Sequence, residues 1–242
     1  MDAQTPAITL NVFAPFLGTP DSSPFVMKTM MLLKLAGRPY RVASGNLGKA
    51  PKGRLPFIVD GGTAIADSTF IRLYLEKRYG IDFDAGLTSE QKAIAWAVQK
   101  MCEEHLVFAL LHLRWADRAN FRKGIARLFT IVPLPLRPFA RALMRRRTVR
   151  RVVTQGMGEH SKEEITTLAV RDIDALATLL GDKPFLMGAK PCGADATVFG
   201  FVTALMTPEL KSPIVAAALS HRNLVAYRDR VLKGYFAETV PA

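Results

Sequence analysis

Acidic residues are scarce in this chain, and scarcest where the bases are densest. Its 242 residues carry 33 Lys/Arg against 21 Asp/Glu, a formal net charge of +12. Between Arg114 and Arg151 stand twelve Lys/Arg and one acid, Asp117, so this segment alone carries +11. The rest of the chain is close to neutral, which marks a local surface device and not general solubility tuning. Cysteine is nearly missing: Cys102 and Cys192 are too few and too far apart for a disulfide framework, and reduced thiols of a cytoplasmic protein are expected. The four histidines show no ligand spacing, so no metal site is expected. No phosphate loop or dinucleotide fingerprint is present. No apolar run approaches the roughly 20 residues needed to span a bilayer. Met1 to Pro6 is polar and carries an acid, unlike a signal peptide. Few aromatics interleave with the bases, which argues against nucleic acid.

What is present falls into two halves. Ile8 to Ala14 reads as a strand. Ser23-Pro24 is a helix start, and Gly37 a helix stop. Tyr40-Arg41-Val42 reads as a second strand. Phe57-Ile58-Val59 and Thr63 to Ala66 flank the hairpin signal Asp60-Gly61-Gly62. Ser68 to Arg78 has helical periodicity. Residues 81–88 read as a linker. Beyond them helical patterns take over. Thr88-Ser89-Glu90-Gln91 and Ser161-Lys162-Glu163-Glu164 are capping boxes. The first opens a helix to about Asp117, with Glu103-Glu104 on a solvated face; the second opens one to about Leu180. Asp195 to Met206 and Leu224 to Leu232 supply further helices.

The order β-α-β-β-β-α followed by helices, with Ser23-Pro24-Phe25, Leu55-Pro56-Phe57 and Asp67-Ser68 in place, resembles the glutathione transferase superfamily across the whole chain. Three later segments resemble the branch that includes metaxins and the failed axon connections proteins, with bacterial relatives. They are Gln155 to Ser161, Gly181-Asp182-Lys183-Pro184-Phe185-Leu186-Met187-Gly188 running on to Pro191-Cys192-Gly193-Ala194-Asp195, and Asn223 to Tyr227. The resemblance implies an α/β thioredoxin-like domain over residues 1–80 and an all-helical domain over 88–242. The basic insert at about 114–151 lies within the second.

The resemblance also implies a site. Ser23 would face the glutathione sulfur, with Ser22 as the neighbouring alternative and the first amides of its helix pointing at the same spot. Helix N-termini favour anions. A thiol of pKa about 8.5 is only about 3% ionised at pH 7, and at about 6.5 it is about 75% ionised, a shift worth about 2.7 kcal/mol. Nucleophilicity falls along with the pKa, so the net gain is only about 3-fold. Positioning of the electrophile must supply the rest. Leu55 would grip the cysteinyl backbone through a peptide freed by a cis bond to Pro56. Arg54 beside it suits a carboxylate or open water equally. Ser68 would cap its helix and receive the γ-glutamyl carboxylate, and Asp67 would meet the glutamyl ammonium. Cys192 reads first as a weak helix cap, and a lowered thiol pKa is the alternative reading. Serine in place of cysteine at position 23 argues against disulfide exchange.

The expected enzyme is a cytoplasmic glutathione transferase, homodimeric by resemblance, with glutathione as co-substrate. It would act on a small apolar electrophile held by Phe16, Phe108, His112 and Trp115. The alternative is a non-catalytic adaptor or scaffold that docks on a protein partner or peripherally on an anionic membrane. Two readings of the insert stay open. In one, Leu136, Phe139, Ala140 and Leu143 pack inward and the arginines stand in water. In the other, an apolar wedge and Arg137, Arg141, Arg145, Arg146 and Arg147 meet anionic lipid together.

Overall fold

A computed structural model describes residues 8–207 and 209–238; the polar start Met1 to Pro6 lies outside them. The first domain runs β1 (Ile8–Val12), α1 (Pro24–Leu35), β2 (Tyr40–Ser44), β3 (Phe57–Asp60), β4 (Thr63–Ala66) and α2 (Ser68–Tyr79). The sheet order is β2-β1-β3-β4, with β1 parallel to β2 and antiparallel to β3. α1 ends where Gly37 adopts φ +60, a left-handed turn that glycine enters without steric cost. The Arg38 amide then bonds the Leu33 carbonyl and the Gly37 amide that of Lys34, closing a Schellman motif.

The second domain opens at the Thr88 capping box with α3 (Ser89–Lys100). The helix continues through a π-helical stretch (Met101–Leu106), α4 (Val107–Leu111) and a second π stretch (His112–Ala116). Asp117 caps α5 (Arg118–Lys123), and 3-10 turns at Ile125–Ile131 and Leu134–Leu136 lead into α6 (Arg137–Thr154). α7 (Lys162–Leu180), α8 (Gly193–Leu205), α9 (Pro213–Ser220) and α10 (Arg222–Tyr235) complete it.

α1 packs most extensively on α8, which is buried along its whole length. A Cβ on Gly200 would lie 2.4 Å from the Pro24 carbonyl oxygen, so the two helices meet backbone to backbone. The Lys28 ammonium is fully buried and pairs with Glu103 at 2.6 Å, while also donating to Thr69 at 3.3 Å. Glu103 is therefore no solvated residue: its π stretch turns it onto α1, while Glu104 stays exposed. Buried charges persist only where they are paired. Cys192 is also buried, and burial pushes its thiol up to about 12, the opposite of acidification. Cys192 is the cap of α8, in a capping box with Asp195, whose carboxylate accepts from Cys192 N (2.8 Å) and Leu186 N (2.9 Å).

Replacing Gly200 with alanine should force α1 and α8 apart and cost about 2 kcal/mol in urea denaturation. A loss below about 0.5 kcal/mol, the range of an ordinary surface change, would contradict this close approach.

Candidate functional site

Antiparallel register brings the three amino-terminal motifs to one end of the sheet. Asn11 near the end of β1 pairs with Phe57 at the start of β3, and Phe57 pairs with Ala66 at the end of β4. The residues just beyond these pairs are therefore neighbours: the loop carrying Ser22 and Ser23, Leu55-Pro56, and Asp67-Ser68. The Asp67 amide bonds the Pro56 carbonyl at 3.2 Å. The Lys28–Thr69 bond ties α1 to α2 behind them.

Each motif offers main-chain groups. Leu55-Pro56 is a cis peptide, and neither the N–H nor the C=O of Leu55 bonds another described residue. Ser23 caps α1; its Oγ accepts from Val26 N only at 3.4 Å, a long bond that leaves the hydroxyl open to another partner. Asp67, not Ser68, is the cap of α2, accepting from Thr69 N at 2.9 Å. Ser68 sits one residue inside the helix and is buried. Asp67 adopts φ +81, ψ +128, an unfavourable conformation for a residue with a side chain, and such strain gathers at ligand sites.

The serine loop is braced from below. The Asp21 carboxylate accepts from Phe13 N (3.0 Å) and Ser23 N (2.8 Å). The buried guanidinium of Arg114, in the second π stretch, donates to Ser22 O (2.7 Å) and Ala204 O (2.6 Å). It thereby joins the loop, the long helix and α8. Burial pushes the Asp21 carboxyl up to about 7, against the pull of the Ser23, Phe13 and Ala14 amides and of Arg114. Burial lowers the Arg114 guanidinium to about 10.

Sequence comparison fits this geometry. The glutathione S-transferase N-terminal domain matches residues 24–120 and its C-terminal domain residues 169–231. The isoprene-epoxide–glutathione S-transferase of Rhodococcus sp. (strain AD45) is 32% identical over 94% of this chain and 99% of its own. The chain belongs to the glutathione S-transferase family. The family's metaxin-like branch is represented among its relatives. Failed axon connections of Drosophila melanogaster is 30% identical over 77% of this chain and 47% of its own length. Metaxin-2 of Mus musculus is 26% identical over 78% of this chain and 72% of its own. A glutathione transferase family member from Pseudomonas fluorescens, solved with two glutathione molecules bound, shares the fold. Its TM-score is 0.62 at 16% identity, covering 99% of this chain and 96% of that one.

The glutathione S-transferase fold does not assemble the expected apolar pocket. Phe16 and Trp115 pack together in a small cluster with Phe121, Ile125 and Ala126. Phe108 is buried in the main core and floors a different cleft. His112 lines a third cavity of about 230 Å³ with Asp117, Lys162 and Lys211. The π stretch His112–Ala116 shifts the facing of Trp115 relative to Phe108.

The basic insert is also rearranged, in the reverse of the inward-apolar reading. Arg137 donates to Thr130 O and Val132 O, Arg141 to Ala126 O, and Arg145 to Trp115 O and Ala116 O. These three guanidiniums are anchored against the irregular segment before α6, not free for lipid. Leu134, Leu136, Phe139 and Leu143 face outward, at 73%, 58%, 75% and 51% exposure. Arg146 and Arg147 remain exposed.

Raising a carboxyl's pKa on folding means the folded state holds the proton more tightly. Asp21 therefore contributes less stability as pH rises from its unfolded value of 3.8 to about 7. Wild type should lose stability relative to Asp21→Asn across that window in denaturation measured at several pH values. A relative stability that is flat or rises would contradict the burial of this carboxyl.

Proposed function

We propose that this chain transfers glutathione to a small electrophile. The observation that carries the proposal is the unpaired Leu55 peptide beside a helix cap with an available hydroxyl. An extended tripeptide can pair with Leu55 as an added strand. Its γ-glutamyl carboxylate would reach the first amides of α2 and the Ser68 hydroxyl, and its ammonium would meet Asp67. The sulfur would then lie by Ser23, with Ser22 next to it. A donated hydrogen bond and the positive end of α1 both favour thiolate. In the transfer the sulfur lone pair forms a C–S bond, the leaving group departs with its electron pair, and the thiol proton passes to solvent.

The chain should be retained on immobilised glutathione and turn over a chromogenic aryl halide. Ser23→Ala should lower kcat/KM about tenfold or more, the loss of one charge-assisted hydrogen bond. Unchanged turnover would remove Ser23 from the reaction. Absence of both retention and turnover would remove the transferase reading.

A second reading, docking on an anionic membrane, is favoured by the outward crest of Leu134, Leu136, Phe139 and Leu143. Phe139, Leu143, Arg146 and Arg147 follow one another along one side of α6. An apolar tip backed by guanidiniums suits a bilayer of acidic lipid. Among the described residues no helix is long and apolar enough to cross a membrane. The chain should sediment with phosphatidylserine-containing vesicles, less so in high salt. Phe139→Asp should weaken this about tenfold or more. Equal sedimentation with pure phosphatidylcholine, or none, would overturn docking; loss of a dimer in Phe139→Asp would assign the crest to a second copy.

A further inference from the structure

The cleft floored by Phe108 has a chemistry that an apolar electrophile does not use. It measures about 390 Å³ and is lined by Phe108, Arg147, Arg150, Arg151, Thr154 and Gln155. It is a shallow basin, wide open to solvent. Its bases come from the C-terminal half of α6, on successive turns of the helix. Among the described residues, none of the three guanidiniums forms an ion pair or donates a hydrogen bond. They differ in this from Arg137, Arg141 and Arg145 on the same helix, each of which is committed to carbonyl oxygens. The Arg151 guanidinium stands 5.7 Å over the Phe108 ring, which leaves an apolar floor beneath a cationic rim.

Two links run from the cleft toward the proposed glutathione seat, one through Arg54 and one along the long helix. Burial holds Arg151 below its ordinary pKa; the charge of Arg54 lowers it further and that of Glu104 pulls it back, so both are electrostatic neighbours of Arg151. Arg54 directly precedes Leu55. Phe108 lies six residues before Arg114, which bonds Ser22 O; that is about 9 Å along a helix. The cations outnumber Glu104, the acid whose charge acts on Arg151, and an anionic ligand relieves the remaining repulsion. The planar fork of arginine suits carboxylate in particular.

We propose that this cleft selects electrophiles that carry a carboxylate next to a flat apolar group, with Arg147, Arg150 and Arg151 receiving the carboxylate and Phe108 the apolar part. This rests on the glutathione-transfer reading and names the substrate class for that same site. With an aryl halide of this class, the thiolate forms a bond to the ring carbon. The carbon–halogen bond breaks and halide leaves with its electron pair. The thiol proton goes to solvent, and no oxidant or reductant is needed.

The probes are 4-chloro-3-nitrobenzoate and its methyl ester, each turnover divided by its uncatalysed rate with glutathione. The free acid should be favoured in kcat/KM by about tenfold, the worth of one charge-assisted contact, and salt should narrow the ratio. In Arg151→Gln and in Arg147→Gln/Arg150→Gln the ratio should fall to about one. Calorimetry with the free acid should show the same arginine-dependent loss of affinity. An ester turned over as well as the acid, or variants that raise KM for glutathione and leave the ratio intact, would overturn the proposal. So would absence of carboxylate binding. Arginine-dependent binding of the acid with no turnover of either probe would keep the anion cleft and sink the transfer reading.

Discussion

One buried guanidinium holds the candidate site in register with the rest of the molecule. Arg114 gives one hydrogen bond to Ser22 in the serine loop and another to Ala204 near the end of α8. Its own helix supplies the third anchor. The buried Nε of Arg114 has no partner among the described residues, so the two carbonyl bonds offset its burial and fix the loop, the long helix and α8 relative to one another. Asp21 works from the loop's own side, fixing the Phe13 and Ser23 amides with one carboxylate. The Lys28–Glu103 pair repeats the device one helical turn further along α1. The proposed sulfur partner Ser23 thus stands on a loop held by hydrogen bonds from two sides.

The same economy of polar groups accounts for α6. The segment between α5 and α6 is built of 3-10 turns, which leave carbonyl oxygens without helical partners. Arg137, Arg141 and Arg145 recur every four residues, so they share one face and reach those carbonyls in turn. Once arginine occupies the inner face, the apolar residues between must face outward. The inner arginines hold the segment together, and among the outer ones Arg147, Arg150 and Arg151 form no ion pair within the described residues.

Much of this was legible in the sequence, for local reasons. Ser23-Pro24, Gly37 and the two capping boxes act within a few residues, and each ends or begins a helix as its chemistry requires. The order of strands and the Asp60-Gly61-Gly62 hairpin are local too, and the family resemblance then supplied the cis bond at Pro56. What stayed hidden depends on distant partners. Nothing within Met101–Leu106 or His112–Ala116 announces a π stretch, whose turn is stabilised by what Glu103 and Arg114 reach on other elements. Helical spacing alone grouped Phe108, His112 and Trp115, which the fold separates. The orientation of α6 was equally out of reach, because exposed and buried arginine look alike until the carbonyls they cap are in place. At Asp67-Ser68 the two residues are near-equal caps by propensity, and the hydrogen bond of the Asp67 amide to Pro56 accompanies the choice of Asp67.

The central claim is that the free main chain at Leu55 and the hydroxyl at Ser23 together hold glutathione. A crystal structure of the chain soaked in glutathione tests it most directly. The cysteinyl N–H and C=O should pair with the C=O and N–H of Leu55, with the sulfur within hydrogen-bond reach of Ser23 Oγ. Glutathione bound elsewhere, or a Leu55 edge left unpaired at saturating glutathione, would contradict it.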